Sequence, residues 1–360
     1  MKIGILSQNK EKNITGINRV TLGTLTELLK LDQENQYSFI GRTDWFSLPL
    51  DSIPFVPATD RVLSLNYLLK ANPLDIIHSH YRPFHVGSRI PCGKILTIHD
   101  LIPLLFPEWY GSPYGYYNEA IRQGAAEADI IIAVSEYTKR DIVEYYGIPE
   151  EKIKVVYNGL FPPKLFAETA VGEAVAGLER EDFLLSVSGV GPHKNQTGLV
   201  EGFLRYRQHH PDSNLKLVLT GPVRRYEVIR EILEKHKDAE KYIVFTGFVT
   251  DAQLVWLYRR AIAFLYVSFY EGFGLPILEA LSVGKAVICS DTTSMPEVGG
   301  NAVEYCNPHD ADSIEAAITH VINDVEYRCG LEALASKQAA LFSYERAAHE
   351  TLDIYRRFLK

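Results

Sequence analysis

The chain is poor in cysteine. Only Cys92, Cys289, Cys306 and Cys329 occur in 360 residues, far apart and with no C-x-x-C pair. That argues against a disulfide framework, a zinc ribbon or a redox dithiol, and a reducing, cytoplasmic compartment is the expectation. Long hydrophobic runs are missing too. The longest, residues 261–270, reaches half of the roughly 20 residues a helix needs to cross a bilayer and reads as a buried strand. The apolar start at residues 2–6 gives way to Gln8, Asn9, Lys10 and Glu11, too soon for a signal peptide. Basic charge is also short: 37 Lys and Arg stand against 45 Asp and Glu, and nearly all of that excess lies after residue 165. A nucleic-acid partner needs a basic field, so none is expected. No Cys, His and carboxylate cluster has metal-ligand spacing. Asp310-Ala311-Asp312 spells Asp-x-Asp, but it follows Asn307-Pro308 at a helix start, where an aspartate caps. The expectation is no metal and no cofactor.

What is abundant is apolar sequence, 46% against 23% charged, enough for a sizeable core and, at this length, two domains. Short Ile/Val/Leu runs at residues 2–6, 37–41, 75–80, 94–99, 130–135 and 153–158 alternate with helical patterns. The alternation restarts at 183–189, 216–221, 242–248, 263–269, 286–291 and 302–306. Such a pattern predicts two successive α/β units with parallel sheets. Phe161-Pro162-Pro163-Lys164 and the Ala/Gly/Glu stretch after it carry no strand pattern. The predicted division is therefore an N-terminal domain over 1–165, a C-terminal domain over 166–342, and a last helix over 343–360 that packs across the domains.

In open parallel sheets ligands gather beyond the carboxyl ends of the strands. The unusual residues fall in those strand-to-helix loops. Phe269-Tyr270-Glu271-Gly272-Phe273-Gly274-Leu275-Pro276 leaves a buried strand, turns on two glycines and enters a helix. The helix N-terminal amides favour a phosphate, and Pro276 suits the first turn. Glu279, one turn in, points back toward that N-terminus, where a carboxylate can accept two vicinal ribose hydroxyls. Glu271, at the strand end, can do the same for a hexose. A second such loop runs from Ser186 through Gly189, Gly191 and His193-Lys194-Asn195. Lys194 there supplies a compact positive charge. Ser135 has the character of a helix N-cap.

These segments resemble the retaining GT-B glycosyltransferases of family 4, whose signature is two glutamates separated by seven residues, as Glu271 and Glu279 are. The resemblance covers nearly the whole chain and is most specific over residues 183–300. It implies two Rossmann-like βαβ domains facing a central cleft, with the C-terminal helix crossing back to the N-terminal domain. It also implies site roles: Glu271 on the donor sugar, Glu279 on the ribose, and Lys194 on the diphosphate, with His193 where arginine is usual. Gly272, Phe273, Gly274 and Leu275 would form the phosphate-facing turn, Phe245, Gly247 and Gly221 would border the nucleotide, and Glu297 would support the donor loop. In the first half, Thr97-Ile98-His99-Asp100-Leu101-Ile102-Pro103-Leu104 is similar to a subgroup rich in mannosyltransferases of bacterial polysaccharide assembly. There His99 matches the histidine that reaches the donor sugar, and Gly16 matches the glycine of the acceptor and phosphate loop.

The expectation is a metal-independent hexosyltransferase with GDP-mannose as donor and a saccharide or lipid-linked saccharide as acceptor. Catalysis falls to His99, Lys194 and Glu271. The rival readings are a nucleotide-sugar epimerase of the same architecture and a non-catalytic nucleotide-sugar-binding subunit. A peripheral membrane contact through a short leucine-rich helix at residues 61–70 is set against the alternative that those leucines pack on the sheet.

Overall fold

The computed structural model describes residues 1–6, 16–41, 55–57, 70, 73–80, 91–110, 113–160, 175–187, 189, 191–221, 226–236 and 239–358. Ser188 and Val190 of the loop from Ser186 to Asn195, and all but the last residue of the expected helix at 61–70, lie outside the described residues.

The chain divides into two compact units, Met1–Leu160 together with Ser343–Lys360, and Phe161–Phe342. In the first unit β1 (Lys2–Leu6), β2 (Gln36–Gly41), β3 (Phe55–Pro57), β4 (Ile76–Ser79), β5 (Gly93–Ile98), β6 (Ile130–Ala133) and β7 (Ile153–Val155) form a parallel sheet in the order β3-β2-β1-β4-β5-β6-β7. In the second, β8 (Phe183–Val187), β9 (Lys216–Thr220), β10 (Ile243–Gly247), β11 (Ala263–Tyr266), β12 (Val287–Ser290) and β13 (Glu304–Cys306) form another parallel sheet, ordered β10-β9-β8-β11-β12-β13. Helices cover both faces of such sheets, so central strands are apolar throughout instead of alternating. Ile76 and Ile77 in β4, and Phe183, Leu184 and Leu185 in β8, are fully buried. The three-residue strand β3 is an addition to the sequence reading. It ends on Pro57 at the sheet edge, where a residue without an N–H leaves no gap in the ladder.

Each sheet reverses its direction of growth once. In the first, the chain runs outward from β1 to β3 and then returns to place β4 on the other side of β1. In the second, β9 and β10 extend one way from β8, and β11 lies against the other side. These reversals open a crevice at the carboxyl ends of β1/β4 and of β8/β11.

The terminal helix Tyr344–Arg356 belongs to the first unit. Ser343 caps it, its side chain accepting the amide of Arg346 at 3.1 Å. Ala347, Ala348, Thr351, Leu352, Ile354 and Tyr355 are buried along one side. Ala347, Ala348, Leu352, Ile354 and Tyr355 join a core cluster with Ile3, Leu25, Phe39 and Ile76. Helix Gly16–Leu31 lies against it, and Gly23 is needed there because the ring of Tyr344 fills the place of a Cβ.

Candidate active site

In the second unit the loops beyond β8 and β11 bring Lys194 and Glu271 together across the crevice. Pro192–Lys194 makes one turn of 3-10 helix, and Asn195 then adopts φ 50° to cap helix Gln196–His209. The Asn195 side chain accepts the Gly198 amide at 3.2 Å and donates to the carbonyls of Val267 and Pro308 at 3.0 and 2.7 Å. The loop is thereby tied to the end of β11, and the His193 carbonyl accepts the Phe269 amide at 2.7 Å.

Lys194 Nζ donates to Glu271 Oε1 at 2.7 Å, to Glu271 Oε2 at 2.9 Å and to the Tyr266 hydroxyl at 2.9 Å. Tyr266 donates in turn to Glu271 Oε1 at 2.8 Å. The two charged side chains are only 18% and 9% exposed. Burial opposes both charges. The Glu271 carboxylate nevertheless holds the Lys194 ammonium above its ordinary pKa, and Lys194 holds Glu271 below its own, so both remain ionised. His193 behaves otherwise: burial first, then the neighbouring ammonium, lowers it to about 4. At neutral pH it brings no positive charge in place of the family's arginine.

The turn after Glu271 is supported from a neighbouring loop. The Glu271 amide donates to Thr293 Oγ1 at 3.2 Å, and the Ser294 hydroxyl lies 2.9 Å from the carbonyls of both Glu271 and Phe273. Phe273 is buried and meets Phe342 edge-on, with ring centroids 5.7 Å apart. Gly274 adopts φ 109° as the N-cap of helix Leu275–Ser282, a conformation that a side chain strains. No side chain caps that N-terminus. Glu279 Oε2 accepts the Tyr258 hydroxyl at 2.8 Å. At the ends of β9 and β10, Gly221 and Gly247 have φ 142° and 66°, and the Gly221 amide donates to the Gly247 carbonyl at 3.0 Å. Phe245 is half-buried in β10. Strand order therefore sets the loops of Gly247, Gly221, Lys194 and Glu271 side by side. The Asp310 side chain accepts the Asp312 amide at 2.9 Å, as a cap does.

His99 and Gly16 lie in the first unit. Gly16 opens helix Gly16–Leu31 and is exposed. His99 follows β5, and its Nε2 is 2.7 Å from the His80 carbonyl. A carbonyl only accepts, so Nε2 carries the proton and Nδ1 is left as the acceptor. Burial lowers His99 to about 4 even though the bond to His80 works the other way. His80 stacks on His78 with centroids 4.0 Å apart. His78 in turn lies 2.7 Å from both Tyr355 in the terminal helix and Thr97 in β5.

Tyr266, Tyr258 and the pair His78 and His80 are absent from the sequence reading as site residues, whereas Thr293 and Ser294 belong to the run 290–300 around Glu297 that resembles the family's donor-loop support. A tyrosine inside an otherwise apolar strand was the available signal for Tyr266. Tyr258 and the two histidines become visible only when strands distant in sequence lie side by side.

A profile of glycosyl transferases group 1 matches residues 173–338, and one of glycosyltransferase family 4 matches residues 22–161. The chain is 31% identical over 287 residues to O-antigen chain mannosyltransferase B of Escherichia coli, covering 77% of this chain and 73% of that one. It is 30% identical over 299 residues to the serotype-specific mannosyltransferase WbdA of Escherichia coli, covering 76% of this chain but only 34% of WbdA. It therefore spans about a third of that longer relative. Among solved structures, Anabaena Alr3699/HepE in complex with UDP-glucose superposes with a TM-score of 0.77 at 18% identity, over 99% of this chain and 100% of that one. At that identity the likeness concerns the fold.

Proposed function

This chain belongs to the glycosyl transferases of group 1, family 4, with the GT-B fold, and from that membership we propose that it transfers mannose from GDP-mannose to a saccharide or lipid-linked saccharide, with retention at the anomeric carbon. The observation that carries the reading is the placement of Lys194 and Glu271 across the β8/β11 crevice, next to the side-chain-uncapped N-terminus of helix Leu275–Ser282. One group suits a diphosphate, the other a sugar hydroxyl, and the helix amides add a second anion site. The mannose donor is supported by the relatives named as mannosyltransferases and by the residues around His99.

In the proposed reaction the bond between the anomeric carbon and the diphosphate oxygen breaks, and its electron pair leaves with the diphosphate. Lys194 and the amides following Gly274 neutralise that charge, a task assigned elsewhere to metal ions. The acceptor hydroxyl forms the new bond on the same face, and the departing phosphate oxygen takes its proton. Glu271 orients the sugar and Glu279 the ribose. The Nδ1 of His99, an acceptor at neutral pH, takes a sugar hydroxyl. No cofactor beyond the donor enters this scheme. The polysaccharide reading places the work at the cytoplasmic face of a membrane. Among the described residues no helix is long and apolar enough to span one.

The test is incubation with labelled GDP-mannose, UDP-glucose and related donors, with and without oligosaccharide acceptors. Transfer with retained configuration is the expected outcome. Isomerisation of the donor would assign an epimerase instead, and binding without turnover a non-catalytic subunit.

A further inference from the structure

Three histidines of the first unit, His78, His80 and His99, lie together at the carboxyl ends of β4 and β5. Of these, His99 alone has a part in the proposed reaction. What a histidine offers a substrate depends on which ring nitrogen carries the proton, and that is set by the bond the other nitrogen makes. In His99, Nε2 is committed to the His80 carbonyl at 2.7 Å. The tautomer and the aim of its ring are therefore only as well defined as the position of that one carbonyl.

The carbonyl lies just past the end of β4, which stops at Ser79. The His80 amide is 3.4 Å from the Leu6 carbonyl, a long bond. The His80 ring is buried, and its Nδ1 has no hydrogen-bond partner among the described residues. Its defined contact is the stack on His78, with 4.0 Å between centroids and 29° between planes. Residues two apart along a strand share a face, which brings the two rings together. His78 itself is anchored on both sides. The Tyr355 hydroxyl lies 2.7 Å from its Nδ1 and the Thr97 hydroxyl 2.7 Å from its Nε2. Burial lowers His78 to about 3 and keeps it neutral. One of its nitrogens then donates and the other accepts, and hydroxyls can meet either need. An apolar ring would fill the same space without burying two polar atoms. Bonds at both nitrogens add what packing alone does not, a fixed rotation of the ring in its own plane.

We propose that His78, anchored by Tyr355 of the terminal helix, is a positioning residue for His99, holding the His80 carbonyl and the end of β5 so that His99 Nδ1 is presented to a sugar hydroxyl. Two routes lead from His78 to His99: the stacked ring of His80, and Thr97, two residues before His99 in the same strand. The proposal rests on the reading of His99 as a sugar-contacting residue and adds what orients it. It also gives the return of the chain a task beyond core packing, because Tyr355 reaches His78 across 277 positions.

The test is a set of variants of the full chain, compared by transfer assay and by ring-nitrogen NMR spectra of histidine-labelled protein, with His99 assigned by its own substitution. Tyr355→Phe removes one hydroxyl and keeps the packed ring, and His78→Phe keeps a ring for stacking and removes both bonds. Their transfer rates are expected to fall about threefold and about tenfold, within the roughly hundredfold that a misplaced catalytic group can cost. In both, His99 is expected to pass from a single form protonated on Nε2 to a mixture of tautomers. In a His99→Gln background neither substitution should alter transfer by more than about twofold, because no ring is left to orient. A merely structural role would lower activity alike in both backgrounds. Equal losses in the two backgrounds, or an unaltered His99 ring spectrum in Tyr355→Phe shown to be folded by thermal melting, would overturn the proposal. Transfer at the wild-type rate by His99→Gln would instead sink the reading of His99 as a sugar contact, and the ring spectrum would still decide whether His78 orients it.

Discussion

At the scale of single residues, the most specific features are two carboxylates with different surroundings. Glu271 is buried and ion-paired, whereas Glu279 is half-buried and held by a neutral tyrosine, Tyr258. Glu279→Ala is expected to weaken binding of the nucleoside diphosphate by about 1.5–3 kcal/mol, the range for a hydrogen bond to a charged group. Tyr258→Phe should act in the same direction but less, because it loosens the carboxylate without removing it. Unchanged affinity in a folded Glu279→Ala protein, measured by calorimetry, would put this residue outside the site. Three histidines give a second prediction. His78 and His99 are lowered from 6.5 to about 3 and about 4, and His193 to about 4, in each case chiefly by burial. The unfolded chain therefore binds protons that the folded chain refuses. The stability due to keeping these rings neutral is complete above their ordinary pKa and is lost as pH falls from about 6.5 toward 4. Thermal melts between pH 7.5 and 4.5 should show a midpoint declining in that window, and a flat profile would contradict the burial of these rings.

At the scale of elements, the strands and the turns between them follow from local chemistry, but helix contacts do not. The twelve apolar runs read from the sequence all became strands, although often shorter than the runs themselves; residues 75–80, for example, yield Ile76–Ser79. The end of a run is set by where its neighbour stops offering hydrogen bonds, which is a property of the sheet. Gly23 shows the same limit in a helix. Glycine inside helix Gly16–Leu31 should cost about 1 kcal/mol relative to alanine, so Gly23→Ala would be stabilising if the helix stood alone. The buried ring of Tyr344 occupies the space of that methyl group. Overpacking costs typically 1–3 kcal/mol, which outweighs the gain in propensity. Gly23→Ala should therefore lower the unfolding free energy by about 1 kcal/mol or more, measured by urea titration, and Tyr344→Ala in the same chain should remove most of that sensitivity.

At the scale of the whole molecule, the lack of metal-ligand spacing in the sequence meets a site built on a lysine and helix amides. Among the described residues no group of three or more His, Cys, Asp or Glu side chains is placed to hold a metal ion. Transfer activity is expected to be retained in excess EDTA, and a strict requirement for manganese or magnesium in the turnover assay would refute the role given to Lys194. Chain connectivity is the other property of this scale. The last residues, Ser343–Lys360, belong to the unit built by the first 160 residues, and Leu160 and Ser343 pair in a parallel bridge. The polypeptide thus leaves the first unit, builds the whole of the second, and returns to finish the core it began.

The amino-acid sequence by itself determined the α/β class, the repetition of the pattern, and the Glu271–Glu279 segment. Each of these depends on neighbours a few residues apart: apolar runs, glycines that permit a tight turn, and a carboxylate one helical turn beyond its cap. Only the tertiary structure decided that Lys194 meets Glu271 across 77 positions, that Tyr266 completes the pair, and that His78 joins Tyr355 across 277. Strand order makes those contacts. It depends on which sheet edge the chain adds to after β10 and after β3, and no local run of residues encodes that choice.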